Sequence, residues 1–158
     1  IKVEIKIPGR GIMKIKNLLL DYNGTIACDG KVIPSVKEKI EAINKKGIRV
    51  HIVTADTHGT VRNQCVNMAI EIQIFDNSNA AENKREIVEK LGAEYCICIG
   101  NGFNDGQMFE ACNISIIVIG VEGCSAKSLM KADIVCKNIE EAFDLILKPS
   151  RIIATLRG

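Results

Sequence analysis

At 158 residues the chain is sized for a single domain (residues 1–158) with a sizeable core, and 47% hydrophobic with 25% charged residues is the balance of a soluble globular protein. A net charge of only +2 and 4% aromatics argue against a nucleic-acid footprint, and no apolar run approaches the ~18 residues of a membrane span. The seven cysteines are odd in number and contain no C-x-x-C pair, and the N-terminus lacks a signal-peptide core, so a disulfide framework and a zinc site are not indicated and a reducing cytoplasm is expected.

Ile1, Val3, Ile5 and Ile7 alternate with charged residues, the pattern of a half-buried strand. Pro8-Gly9-Arg10-Gly11 is turn material, and a second extended run follows it, ending in Leu18-Leu19-Leu20. These predict an antiparallel hairpin at a sheet edge, residues 1–20, whose second run enters a central strand covered on both faces. From there strand and helix alternate. Pro34 opens a helix with Val36, Ile40 and Ile43 on one face, and Gly47 ends it. Residues 48–53 read as a strand, 60–68 as a helix, 70–74 as a strand and 82–91 as a helix stopped by Gly92. Strands at 95–99, 114–119 and 134–136 alternate with helices at 105–112, 125–131 and 139–147. The tail, with Ile152, Ile153 and Leu156, reads as a docked terminal helix. This order predicts an α/β fold of three layers, Rossmann-like, with a mostly parallel sheet and helices on both faces.

In such a sheet functional loops lie beyond the carboxyl ends of the strands. Those loops hold Asp21-Tyr22-Asn23-Gly24-Thr25, Thr54-Ala55-Asp56 and Gly100-Asn101-Gly102-Phe103-Asn104-Asp105, and Lys84 opens a helix before one of the strands. Singly, each has a plain explanation: an Asp after a strand caps a turn, and a Lys near a helix start is solvated. His51, inside a strand, reads as structural, and His58 as a solvated loop residue. Asp29 and Asp76 read as turn residues, Asp56 as a helix cap or a residue orienting the neighbouring loop, and Tyr22 and Phe103 as residues flanking the site, for packing in the first place and for contact with a leaving group as the alternative.

Taken together these segments resemble the haloacid dehalogenase-like (HAD) phosphohydrolases. Asp21 to Thr25 resembles their D-x-D-G-T loop, Thr54 the second motif, Lys84 the third, and Gly100 to Asp105 the G-D-G-x-N-D motif. The likeness is strongest to the phosphorylation domain of P-type ATPases and to soluble P-type-ATPase-like phosphatases, and it covers residues 15 to about 147. It implies a HAD fold and a phosphatase in which Asp21 attacks phosphorus to give an aspartyl-phosphate. It further implies that Thr54 and Lys84, with backbone N–H groups at Tyr22, Asn23 and Ala55, hold the phosphoryl oxygens. Mg²⁺ is the implied cofactor, with Asp21, the Asn23 carbonyl, Asn101 and Asp105 as its ligand positions. The spacing of the motifs leaves no room for a cap domain, and the chain carries no nucleotide-binding, actuator or transmembrane segment.

Two positions depart from the pattern. Asn23 replaces the Asp that serves as general acid and base, and a carboxamide does neither. Asn101 replaces an anionic metal ligand by a neutral oxygen donor, so Mg²⁺ affinity falls unless Asp105 compensates. A slow enzyme acting on a phosphorylated small molecule or protein is expected. A phosphate-binding module without turnover, and a subunit lending a phosphorylation domain to a partner, are the alternatives. By analogy with tetrameric capless sugar phosphatases, the N-terminal hairpin is the segment that reaches a neighbour if the chain forms a homo-oligomer.

Overall fold

The computed structural model describes residues 3–56 and 59–158. Six parallel strands build the main sheet: β3 (Asn17–Asp21), β6 (Arg49–Thr54), β7 (Glu71–Ile74), β8 (Cys96–Gly100), β9 (Ile114–Val118) and β10 (Ile134–Cys136), in the order β10-β9-β8-β3-β6-β7. All five residues of β3 are buried, because alternate side chains enter two different cores. Leu18 and Leu20 join Ile52, Ile97, Ile99 and Ile116 on one face, while Leu19 joins Val53, Cys96, Cys98 and Ile117 on the other. The unbroken Leu18-Leu19-Leu20 run is thus a strand with no solvent face.

Helices α1 (Val36–Lys45), α6 (Ile139–Leu147) and α7 (Ser150–Leu156) cover the first face through Ile40, Ile43, Phe143, Ile146 and Ile152. Helices α3 (Ala80–Leu91) and α4 (Gly106–Ala111) cover the second through Val88, Met108 and Phe109. Short helices α2 (Thr60–Gln64) and α5 (Ala126–Leu129) complete the set. The strands at 134–136 and the helix at 139–147 begin and end where the pattern places them. Helix α2 stops four residues before the expected end: Asn67 takes a left-handed φ of 66°, and Met68 and Ile70 turn back onto the core.

The N-terminal segment corrects one expectation. Strands β1 (Val3–Ile7) and β2 (Gly11–Ile15) form an antiparallel ribbon of their own, separate from the main sheet. The second run divides at Lys16, whose N–H bonds the Tyr95 carbonyl while its ammonium lies 4.1 Å from the centre of the Tyr95 ring. The ribbon's apolar face (Ile5, Ile7, Met13 and Ile15) is buried in this chain's own core. Its tip is tied to the C-terminus by Arg10 Nε donating to the Leu156 carbonyl at 3.1 Å. It precedes β3 and so stands at the amino edge of the sheet, the edge remote from the Asp21 loop.

A second small hairpin, β4 (Ala27–Cys28) and β5 (Lys31–Val32), follows the Asp21 loop and turns through Asp29 (φ 52°) and Gly30. Two-residue strands have too little periodicity to register in a sequence pattern.

Candidate active site

Strand register assembles the site. Asp21 ends β3, Thr54 ends β6 and Gly100 ends β8; Asp21 lies opposite Val53, and Leu20 opposite Ile99. The three loops therefore leave the sheet side by side. Gly24 adopts φ +80° to turn the chain back, and a Cβ there would lie 2.2 Å from Asn101 Nδ2, so only glycine lets these two loops close. Thr25, Ile26 and Ala27 donate their N–H groups to the Tyr22 carbonyl, which winds the loop tightly behind Asp21. The Tyr22 side chain is buried, as expected, and its hydroxyl donates to the Gly30 carbonyl at 2.7 Å, securing the β4–β5 hairpin.

Lys84 arrives from α3. Ala80, Lys84 and Val88, four residues apart, form the buried stripe of that helix, so the lysine occupies a position its neighbours give to core residues. Only 2% exposed, its ammonium donates three bonds: to Asp21 Oδ1 at 2.9 Å, Asp105 Oδ1 at 2.7 Å and Asn104 Oδ1 at 2.9 Å. All of its donors are engaged. The other Asp105 oxygen accepts the N–H groups of Asn101 and Gly102 at 3.0 and 2.9 Å. A Cβ at Gly100 would come 2.4 Å from that oxygen, which explains the glycine.

Thr25 Oγ1 lies 3.1 Å from Asp21 Oδ2 and 3.3 Å from Asn101 Oδ1, so its single proton serves one of them at a time. The Asn101 amide donates to the Gly123 carbonyl at 3.1 Å, tying in the loop before α5. The Thr54 hydroxyl accepts the Asp56 N–H, and Asp56 accepts the Val61 N–H at the start of α2. A polar cavity of ≈570 Å³ opens above this network, with Asp21, Asn23, Ala55, Lys84 and Asn101 among its walls.

Two buried carboxylates share one buried ammonium. Burial first, then the charge of Asp105, raises the Asp21 carboxyl from 3.8 to about 6, against the pull of Lys84. Burial by itself would lower the Lys84 ammonium, but the two carboxylates outweigh it and hold it above its ordinary range. The native state therefore keeps a proton on Asp21 that the unfolded chain releases near pH 3.8. The stability this proton contributes is complete below that pH and is lost as pH rises through about 6. An Asp21→Asn variant, neutral throughout, should gain stability relative to the parent as pH rises from about 4 to about 7, read from urea midpoints. A difference that stays flat across that range would refute the burial argument.

The haloacid dehalogenase-like hydrolase family matches residues 6–113, which contain all three of these loops and Lys84. The chain belongs to that family. Among HAD relatives, the soluble P-type ATPase-like phosphatase of Methanocaldococcus jannaschii is 26% identical over 126 residues, covering 78% of this chain but 46% of that protein. The chain therefore spans about half the length of that relative. An uncharacterised protein of the same organism is 41% identical over 78 residues, 47% of this chain and 84% of that protein. The fold is similar to that of 3-deoxy-D-manno-octulosonate 8-phosphate phosphatase from Moraxella catarrhalis, solved with magnesium, phosphate and the sugar acid. That likeness has a TM-score of 0.71 at 20% identity and covers 90% of this chain and 94% of that one. The cobalt-bound Haemophilus influenzae phosphatase of the same type gives 0.72 at 16% identity, covering 91% and 94%.

This HAD domain has no cap among the described residues: the β4–β5 hairpin and α1 lie between β3 and β6, and α2, β7, α3 and two three-residue 3-10 turns between β6 and β8. No described helix is long and apolar enough to cross a membrane.

The expected site residues converge, with three differences from expectation. Asp105 is fully buried and its oxygens face Lys84 and backbone N–H groups, not the cavity, so its placement is that of an anchor rather than an open ligand. Thr54 is 4% exposed and stands behind Ala55 and Asp56, which line the cavity. Phe103, expected to pack, is 71% exposed. His51 is structural, bonded to Asn17 at 3.0 Å inside the sheet; His58 lies outside the described residues.

Sequence reasoning assigned no role to Thr25, Asn77 or Asn104. Thr25 and Asn104 lie within the quoted motifs, whose polar side chains signalled them. Asn77 sits in a 3-10 turn after β7 and carries no signal of its own.

Proposed function

We propose that this chain is a magnesium-dependent phosphohydrolase acting on phosphomonoesters through an aspartyl-phosphate on Asp21. The observation that carries the reading is one carboxylate at the floor of a polar cavity, held by Lys84 at 2.9 Å and oriented by Thr25. The oxygen donors around it, the Asp21 carboxylate, the Asn101 carboxamide and the Asn23 carbonyl, suit a hard divalent cation that keeps waters of its own. Bound there, Mg²⁺ would neutralise charge between the carboxylate and the incoming phosphate.

The chain's own groups account for the remaining chemistry. An Asp21 oxygen attacks phosphorus in line with the ester oxygen; the new P–O bond forms as the ester bond breaks, and its electron pair leaves with the alkoxide. As negative charge moves from Asp21 to the phosphoryl oxygens, the Lys84 donor now spent on Asp21 transfers to one of them. Asp105 and Asn104 keep that ammonium in place throughout. The backbone N–H groups at Tyr22, Asn23 and Ala55 receive the other oxygens, and Thr54, set behind Ala55, braces that loop by accepting the Asp56 N–H. Water then attacks the phosphoenzyme, releasing phosphate and regenerating Asp21. Because Asn23 neither donates a proton to the leaving oxygen nor takes one from water, both steps depend on solvent, and good leaving groups react best.

Acetyl phosphate with Mg²⁺ and an acid-quench trap for labelled phosphoenzyme tests this reading. Neither turnover nor label, in the parent and in Asn23→Asp, would leave the second reading, a phosphate-binding module without turnover, which Asn23 and Asn101 favour. If the first reading holds, Asn23→Asp should hydrolyse its phosphoenzyme about 100- to 10,000-fold faster than the parent, measured by rapid quench. An unchanged rate would show that position 23 is not the missing acid and base.

A further inference from the structure

The phosphate cavity has an apolar neighbour. Phe103 forms one wall of the ≈570 Å³ cavity and also one wall of a second hollow of ≈480 Å³, shared with Ala81 and Gln107 on one side and Lys127, Met130 and Lys131 on the other. The chain contains two Tyr, four Phe and no Trp, yet it leaves Phe103 71% exposed at the edge of the polar cavity over Asp21, with Met130 81% exposed along the same hollow. A large apolar side chain left in water forgoes about 1.5–3 kcal/mol of burial, so two of them side by side mark a surface that something covers.

The backbone beneath is fixed. The Phe103 carbonyl accepts the hydroxyl of Ser128, a fully buried residue of α5, at 3.2 Å, so the ring stands on a rigid base. The far rim is basic. Lys127 is exposed, and the aliphatic stem of Lys131 crosses the start of α4, where a Cβ at Gly106 would lie 3.2 Å from it. The Lys131 ammonium pairs with Glu110 at 3.1 Å.

We propose that this shelf binds the leaving group of the substrate, and that the leaving group is a flat apolar body, preferably aromatic, with an acidic group at its far end. The inference rests on the phosphoryl reading of the Asp21 cavity and deepens it. A phosphate seated over Asp21 has its ester oxygen bounded by Phe103, the one side chain common to both hollows. An aromatic ring entering there would lie against Phe103 and Met130, and its acidic end would face Lys127 and Lys131.

Calorimetry in Mg²⁺ with methylphosphonate, phenylphosphonate and para-phosphonobenzoate tests the shelf without turnover. Phenylphosphonate should bind about tenfold tighter than methylphosphonate, and the benzoate about threefold tighter again at low salt. Phe103→Ser and Met130→Ser should each bring the phenyl-to-methyl ratio toward one. Equal affinity for methyl and phenyl, a ratio that survives Phe103→Ser, or no binding of any phosphonate overturns the proposal; a benzoate no tighter than phenyl overturns the acidic end. Acetyl phosphate, which has no ring, followed in parallel, reports on Asp21 alone. The shelf can thus fail while acetyl phosphate still turns over, and the Asp21 reading can fail while the phosphonate ratio holds.

Discussion

Asp21→Asn should lower turnover of acetyl phosphate by about 10,000-fold or more and remove the acid-stable phosphoenzyme altogether, because the other carboxylate lining the cavity, Asp56, accepts the Val61 N–H at the start of α2 instead. The variant is informative because it should fold. Asparagine has the same outline, and its one oxygen can still accept from Lys84 or Thr25. Lys84 keeps Asp105 at 2.7 Å and Asn104 at 2.9 Å, so the buried ammonium is not left alone. Loss of a carboxylate that burial holds partly protonated removes a charge the native state carries at a cost. The variant should therefore be at least as stable as the parent at neutral pH, and lost activity with a raised or equal melting temperature would locate the chemistry at this atom. Turnover within tenfold of the parent would end the nucleophile assignment.

The second large effect is on stability. Lys84→Met removes the one cation that, among the described residues, pairs with both Asp21 and Asp105, each less than a tenth exposed. Breaking a buried ion pair from one side typically costs about 3–5 kcal/mol, since the partner is left desolvated and unpaired. For a domain of this size that is a fall of roughly 10 °C in Tm. The loss should deepen as pH rises, because the two carboxylates can share a proton at low pH but repel once both are ionised. Activity should vanish as well: without the ammonium the Asp21 carboxyl is protonated more readily and the transferring oxygens lose their donor. Adding Asp105→Asn to Lys84→Met removes the repulsion, so the double variant should recover more than half of the lost stability and none of the activity. A single variant within about 1 kcal/mol of the parent, measured by denaturant unfolding, would mean that water or rearrangement already neutralises the pair.

The local pattern carried the architecture because its signals are local. Apolar runs of strand length, apolar stripes of helical period and glycines after helices belong to neighbouring residues, and so β8, α3 and α6 lie where their own segments place them. The Asp21 loop was legible for the same reason: Asp21 to Thr25 are contiguous, and Gly24 takes the left-handed φ that the turn requires.

The order of residues alone accounts for the alternation of strands and helices, the loops that carry the polar residues, and the two Asn departures that predict slow chemistry. What those residues face depends on how the folded chain packs. That Asp105 spends its oxygens on Lys84 and on the Asn101 and Gly102 N–H groups, that the N-terminal ribbon folds onto its own C-terminus, and that Phe103 stands in solvent between two hollows are properties of contacts between distant segments. Such contacts follow from strand order and register, which bring residues 21, 84 and 105 within hydrogen-bond reach although no short-range periodicity relates them.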